Sequence, residues 1–409
     1  MQRQLSRVSA FALVALSLFV APSLNPSAHA RAKAAPKRAG AARHADGVPP
    51  SRLARLRRGI NLSHWFAQAP RGDYSEAHLK SHTTGRDLAL IRELGFDHVR
   101  FTVEPAPLFD PAVPSRLKAE HLRHLDAALD LLLASGLAVI FDLHPADEFK
   151  HRLKDDRAVA AFEEFWRSLA RHLSRRDPER LFLEILNEPV IEDAYRWMGI
   201  QARVAAAVRE GAPRHTIVAA GPRWSSVDEL LRIEPVADPN VIYNFHFYEP
   251  HTFTHQGATW GADFWPHLKN IPYPSSPETI APLLAGVGNQ TARGALKDYG
   301  DERWDAARVE REIARAAEWG RRRGVPLMCN EFGVYRAYTP TEARLRWIED
   351  VRRALERHHV GWTMWDYAGS FAVVLKKEGR ATPDPATLAA LGLRPRRGTG
   401  RRAARSALR

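Results

Sequence analysis

The chain reads as a (β/α)8 barrel, a closed ring of parallel strands with helices around it, and three observations predict this. Strand-like and helix-like runs alternate from Gly59 onward, and the strand-like runs number eight, the count that closes such a ring. Those runs are nearly continuous in apolar residues, as strands covered on both faces must be. Polar and ionisable side chains gather at their C-terminal ends, the rim on which a barrel carries its chemistry.

In chain order the strand candidates are GINLSHW (59–65), DHVRFTV (97–103), LAVIFDLH (137–144) and LFLEILNE (181–188). TIVAAG (216–221), VIYNFHFY (241–248), VPLMCNEF (325–332) and GWTMWDY (361–367) complete the set. Amphipathic stretches such as 119–136 and 309–324 lie between them, and the second ends in Arg and Gly, as a helix C-terminus tends to. PATLAALGL (385–393) is a short final helix. The connection after the sixth run, 249–303, is the largest departure from regularity. Phe253, Trp260, Phe264, Trp265 and Tyr273 make it too aromatic for a disordered segment, so it is expected to be a folded loop overhanging the barrel mouth.

At 409 residues, 45% hydrophobic and 26% charged, the chain can build one large core. Its net charge of +13 suggests nucleic acid until it is located. Residues 1–58 carry a net +10 and 394–409 a net +7, which leaves the stretch between them at −4. Basic ends on a mildly acidic body describe solvated flanks rather than a nucleic-acid surface. The first thirty residues read as a secretory leader: Arg3 and Arg7, an apolar run over 8–21, then Ala28-His29-Ala30 as a cleavage site. That run is shorter than the ~20 residues a spanning helix takes. The expected layout is a signal peptide at 1–30, a basic Ala/Pro-rich linker at 31–58, a single catalytic barrel at 59–393 and an Arg-rich disordered tail at 394–409. Cys329 is the only cysteine, so no disulfide can form within the chain. It reads as a small buried hydrophobe.

Two short strings carry the chemistry: ILNEP around Glu188 and LMCNEFG around Glu331. Each sets an Asn-Glu pair where a buried strand meets its following loop. Two carboxylates held there by separate strands are what glycoside hydrolysis needs, one as proton donor and one as nucleophile or base. Other strand ends add Arg100, His144, Asn187, His246, Tyr248 and Trp365.

The segments RGINLSHWF, HVRFTVE, FDLHP, LNEP, NFHFYEPHTFTHQGATW, NEFG and TMWDY, in this order from Gly59 to Tyr367, resemble the signature of glycoside hydrolase family 5, the cellulase family. That resemblance implies a retaining mechanism with Glu188 as acid/base and Glu331 as nucleophile. It also implies that Arg100, His144, Asn187, His246, Tyr248 and Trp365 line the subsite of the attacked sugar. The chemistry agrees. Arg100 offers a permanent charge and Tyr248 a phenol donor, both favouring an ionised carboxylate. Apolar walls and a second carboxylate are expected to hold Glu188 protonated. Asn187 can donate to the sugar 2-hydroxyl, and Trp365 can offer a flat face to a pyranose.

Trp166, Trp319 and Trp347 fall in helical periods and are expected in the core. Trp65, Trp224, Trp260 and Trp265 follow strand ends or lie in the long connection, and Trp65 and Trp260 in particular are taken as sugar platforms. The favoured activity is endo-β-1,4-glucan cleavage. β-1,4-Mannanase, β-1,3-glucanase and xyloglucanase activities use the same groups and stay open. So do a metal-dependent hydrolase built on Asp142, His144, His246 and Glu331, and a carbohydrate-binding barrel without catalysis. The expected partner is a polysaccharide, met by an exported monomer, secreted or periplasmic, that needs no cofactor, metal or nucleic acid and inserts in no membrane once its leader is gone.

Overall fold

The computed structural model describes residues 47–393. The leader, the first part of the linker and the Arg-rich tail lie outside them. Eight parallel strands close into a barrel in sequence order: β1 (Arg58–Phe66), β2 (His98–Val103), β3 (Ala138–Leu143), β4 (Leu181–Glu184), β5 (Thr216–Ala219), β6 (Val241–Phe247), β7 (Leu327–Phe332) and β8 (Gly361–Met364). Every expected strand is present, and β1 pairs with β8 to complete the ring.

The outer helices form for local reasons. Asp156–Leu173 starts at Asp155, whose carboxylate accepts from the first free N–H groups, and buries Val159, Phe162, Trp166, Leu169 and Leu173 along one face. Ala306–Arg323 stops at Gly324, which takes the left-handed conformation (φ 64°) with three arginines in the turn before it.

Along the strands the two-residue period separates two cores. Val139, Phe141 and Leu143 of β3 face the helices. Ala138 and Ile140 point inward and meet Phe182, Val218, Ile242 and Met328 at the bottom of the barrel. Above that apolar layer the inward positions turn polar: Asn61, Arg100, Asp142, Glu184, Asn244 and Asn330, all buried.

Two expectations need correction, and one element is an addition to them. The segment from 48 to 56 is no linker: a short helix, Pro50–Leu53, sets Leu56, with Val48 and Leu53 beside it, against the bottom core. Arg52 fastens the plug to Glu179, the Arg214 carbonyl and Thr216. The connection after β6 is not one loop, because it holds two packed helices, Pro277–Leu284 and Gln290–Asp301, each with a side-chain cap. Finally, a hairpin follows β8, β9 (Val374–Lys377) with β10 (Arg380–Pro383). Among the described residues no helix is long and apolar enough to cross a membrane.

Candidate active site

Both glutamates of the Asn-Glu strings reach the barrel mouth through a backbone irregularity. Neighbours on a strand point to opposite faces, yet in each string both residues serve the site. In β7 the register against β6 slips between Cys329 and Glu331. This bulge lets Asn330 point inward to Glu184 and re-aims Glu331 at the mouth. Past the end of β4, Glu188 takes a left-handed conformation with φ 44°, the kind of strain that concentrates at functional positions.

Glu331 is held from two sides. Arg100 donates through Nη1 to Oε1 at 2.5 Å, and the Tyr248 hydroxyl donates to Oε2 at 2.9 Å. Burial and the Glu331 charge push the Tyr248 phenol well above its usual range, which keeps it a donor. His246 sits between the two carboxylates: Nδ1 is 2.8 Å from Glu188 Oε1 and 3.5 Å from Glu331 Oε2. One oxygen of each glutamate and a ring nitrogen of His246 all lie within 4.8 Å of one another. Those three atoms could in principle surround a cation, but both Glu331 oxygens are already engaged by Arg100 and Tyr248.

Asn187 is oriented by its neighbours. Burial and the charge of Arg100 push His144 down to about 3, so its ring is neutral. It donates from Nδ1 to Asp142 at 2.8 Å and accepts at Nε2 from the Asn187 amide at 3.2 Å. Burial pushes Asp142 up to about 6 against the pull of Arg100. Arg100 donates to the Asn187 oxygen at 2.8 Å. One amide hydrogen of Asn187 is left to face the mouth, where a 2-hydroxyl can take it.

The aromatic residues divide. Trp365 stacks beside His144 with ring centres 5.8 Å apart, and joins Tyr248 and Phe371 in an apolar cluster flanked by Tyr335. Trp260, 45% exposed, stands edge-on to Tyr335 at 4.9 Å and so continues that cluster outward. Trp224, 60% exposed, is placed near the site by its backbone N–H, which donates to the carbonyl of Pro189, the residue after Glu188. Trp265 instead stacks on His255 and His251. Trp65 is a correction: it is 2% exposed, packs on Phe66 and Phe101 and donates to the Leu79 carbonyl. Its ring faces the core and offers nothing to a sugar. Trp166, Trp319 and Trp347 are buried as expected.

The buried layer under the site was missed by reading strand ends alone. Counting back by two finds most of it: Asp142 below His144, Glu184 four before Glu188, Asn244 below His246.

The Cellulase family model (glycosyl hydrolase family 5) matches residues 63–370. The chain belongs to glycosyl hydrolase family 5. It is therefore a glycoside hydrolase. Endoglucanase C of Acetivibrio thermocellus is 28% identical over 317 residues, spanning 76% of this chain and 90% of that protein. Endoglucanase 3 of Fibrobacter succinogenes is 27% identical over 340 residues, 78% of this chain and 50% of that protein. Among solved structures, the Cel5A endoglucanase of Thermotoga maritima with cellobiose superposes with a TM-score of 0.67 at 24% identity, covering 83% of this chain and 98% of that one.

Proposed function

We propose that this family 5 enzyme is an endo-β-1,4-glucanase that works with retention, Glu331 acting as nucleophile and Glu188 as acid/base. One observation carries the reading. Oxygens of the two carboxyls lie within 4.8 Å of one another. That suits the roughly 5–5.5 Å of retaining sites and not the ~6.5–9.5 Å that leaves room for an inverting water.

The neighbours support the division of roles. Arg100 and Tyr248 orient both oxygens of Glu331, as a nucleophile requires. Glu188 touches a group able to exchange a proton with it, His246. Trp365 offers its face under the attacked sugar, while Trp260 and Trp224 extend apolar surface for further rings of a chain. The name endoglucanase on the relatives aligned over most of this chain supports β-1,4-glucan as the substrate. The leader read in residues 1–30 supports an exported enzyme acting on a polymer that cannot enter a cell.

The test is product analysis on carboxymethyl cellulose, barley β-glucan, laminarin, xyloglucan, mannan and xylan. Viscosity should fall on the β-1,4-glucans well before reducing ends accumulate. Mannan belongs in the panel because the Thermotoga maritima enzyme has been solved with mannotriose as well as cellobiose. Preference for mannan or laminarin would overturn the glucan reading and leave the family standing.

A further inference from the structure

Glu184 does not reach the mouth. It is 1% exposed, one layer beneath the catalytic pair on β4, yet it accepts hydrogen bonds from side chains of three other strands of the site. Arg100 grips it with a two-pronged contact, Nε to Oε2 at 2.7 Å and Nη2 to Oε1 at 2.9 Å. Asn244 of β6 and Asn330 of β7 both donate to Oε1, at 3.2 and 2.9 Å. These donors lie two residues before His246 and directly before Glu331. One carboxylate thus ties together β2, β4, β6 and β7.

The geometry of a guanidinium makes this consequential. It is planar and rigid, so fixing one edge fixes where the remaining hydrogens point. With Nε and one Nη2 hydrogen on Glu184, the other Nη2 hydrogen meets Asn187, and the Nη1 pair meets Asn61 at 3.1 Å and Glu331 at 2.5 Å. All five donors of Arg100 are then used. Without the anchor the fork loses two of its five bonds, and its paired edge can turn toward Asp142, whose Oδ2 already lies 3.0 Å from Nη2.

We propose that Glu184 is a positioning residue for the glycosylation step: it holds the Arg100 fork so that Nη1 orients the Glu331 carboxylate for attack on the anomeric carbon. The inference rests on the reading of Glu331 as nucleophile.

The test isolates nucleophilic attack. 2,4-Dinitrophenyl 2-deoxy-2-fluoro-β-cellobioside needs no proton donor, and it traps the nucleophile as a stable glycosyl ester. In Glu184→Gln the amide puts an N–H against the Arg100 Nε–H and breaks the two-pronged contact. Trapping should slow about 10–100-fold, the scale of a small misplacement of a reacting group. The loss should fall on the rate constant at saturation, with the half-saturating concentration unchanged. In an Arg100→Lys background, which has no fork to hold, adding Glu184→Gln should slow trapping less than twofold further. If Glu184→Gln does not fold, Glu184→Asp takes its place, since a shorter carboxylate cannot keep both prongs, and the same slowing is expected. Wild-type trapping rates in the variant that folds, or losses that multiply in the double variant, would overturn the inference alone. If peptide mapping finds the wild-type label on a residue other than Glu331, the nucleophile reading falls and this inference with it.

Discussion

Nδ1 of His246 lies 2.8 Å from Oε1 of Glu188, and this contact couples the protonation of the two groups. Burial pushes the Glu188 carboxyl up, but the hydrogen bond and charge of His246 more than offset it and hold the group below its usual range. Burial pushes His246 down, yet the Glu331 charge and the Glu188 hydrogen bond leave it above 6.5. The free site therefore differs from the expectation that apolar walls and a second carboxylate keep Glu188 protonated. The opposite shifts favour a protonated imidazole beside an ionised Glu188, within reach of the carboxylate that must deliver the proton.

A pH dependence follows. The pair holds its proton below the raised value of His246 and loses it as pH rises through that value, which lies above 6.5. Because kcat/KM reports groups of the free enzyme, its basic limb on β-glucan should fall above pH 6.5. A dinitrophenyl cellobioside, whose leaving group barely needs a proton, should show a flatter limb. A limb on β-glucan centred below 6.5 would place the proton elsewhere. The same shifts act on stability. The His246 contribution is present below 6.5 and lost as pH rises through its folded value, while that of Glu188 is lost as pH falls through its lowered one.

The correction at Trp65 predicts a stability effect without a specificity effect. Its indole is buried against Phe66 and Phe101 and donates to the Leu79 carbonyl. Trp65→Ala should lower unfolding free energy by about 3–5 kcal/mol, read from denaturant midpoints. The folded remainder should keep wild-type KM values on chains of every length. A KM that rose with chain length would return Trp65 to the substrate.

Trp260 should behave the other way. Its exposed ring extends the Trp365, Tyr248 and Phe371 cluster outward, so Trp260→Ala should leave the denaturant midpoint nearly unchanged. An aromatic contact of roughly 0.5–1.5 kcal/mol corresponds to a KM on long glucan about two- to tenfold higher. Short aryl cellobiosides should feel less of it, and an equal rise on both would place Trp260 beside the attacked sugar instead.

The contrast between these two tryptophans shows how far the sequence was legible. The barrel could be read because buried parallel strands have an unmistakable composition, and the rim because polar residues end otherwise apolar runs. Every strand was found, and His144, His246, Glu188 and Glu331 converge as those ends require. Side-chain direction was the harder matter. Alternation alone would send Glu331 away from Asn330, and only the bulge, set by pairing with a strand some eighty residues earlier, brings both to use. Trp65 closes a strand candidate as Trp260 follows a turn, and nothing local says that one turns inward. The helices within 249–303 are short and carry Pro282, Gly294 and Gly300 inside them, so their caps, Ser276 and Asn289, are the only strong local signal of them. Glu184 was hidden because a charge inside a strand looks like an exception until its partner, Arg100, is seen.

Separating the two glutamates is the decisive experiment. Wild type should release the β-anomer first from a β-glucan, followed by NMR, since two displacements restore configuration. Glu188→Ala should still form the covalent intermediate from an aryl β-cellobioside with an activated leaving group, then stall, because no general base remains to activate water. Azide needs no base. It should restore turnover in that variant and give the β-glycosyl azide. Glu331→Ala has lost the nucleophile, so an activated leaving group alone should not rescue it. Azide entering the vacated face, beside Arg100 and Tyr248, should give the α-azide instead. The reverse pattern of azide products would exchange the two roles while the family stands. Near-normal activity in both variants would remove these carboxylates from the chemistry altogether, and with them the argument from their spacing.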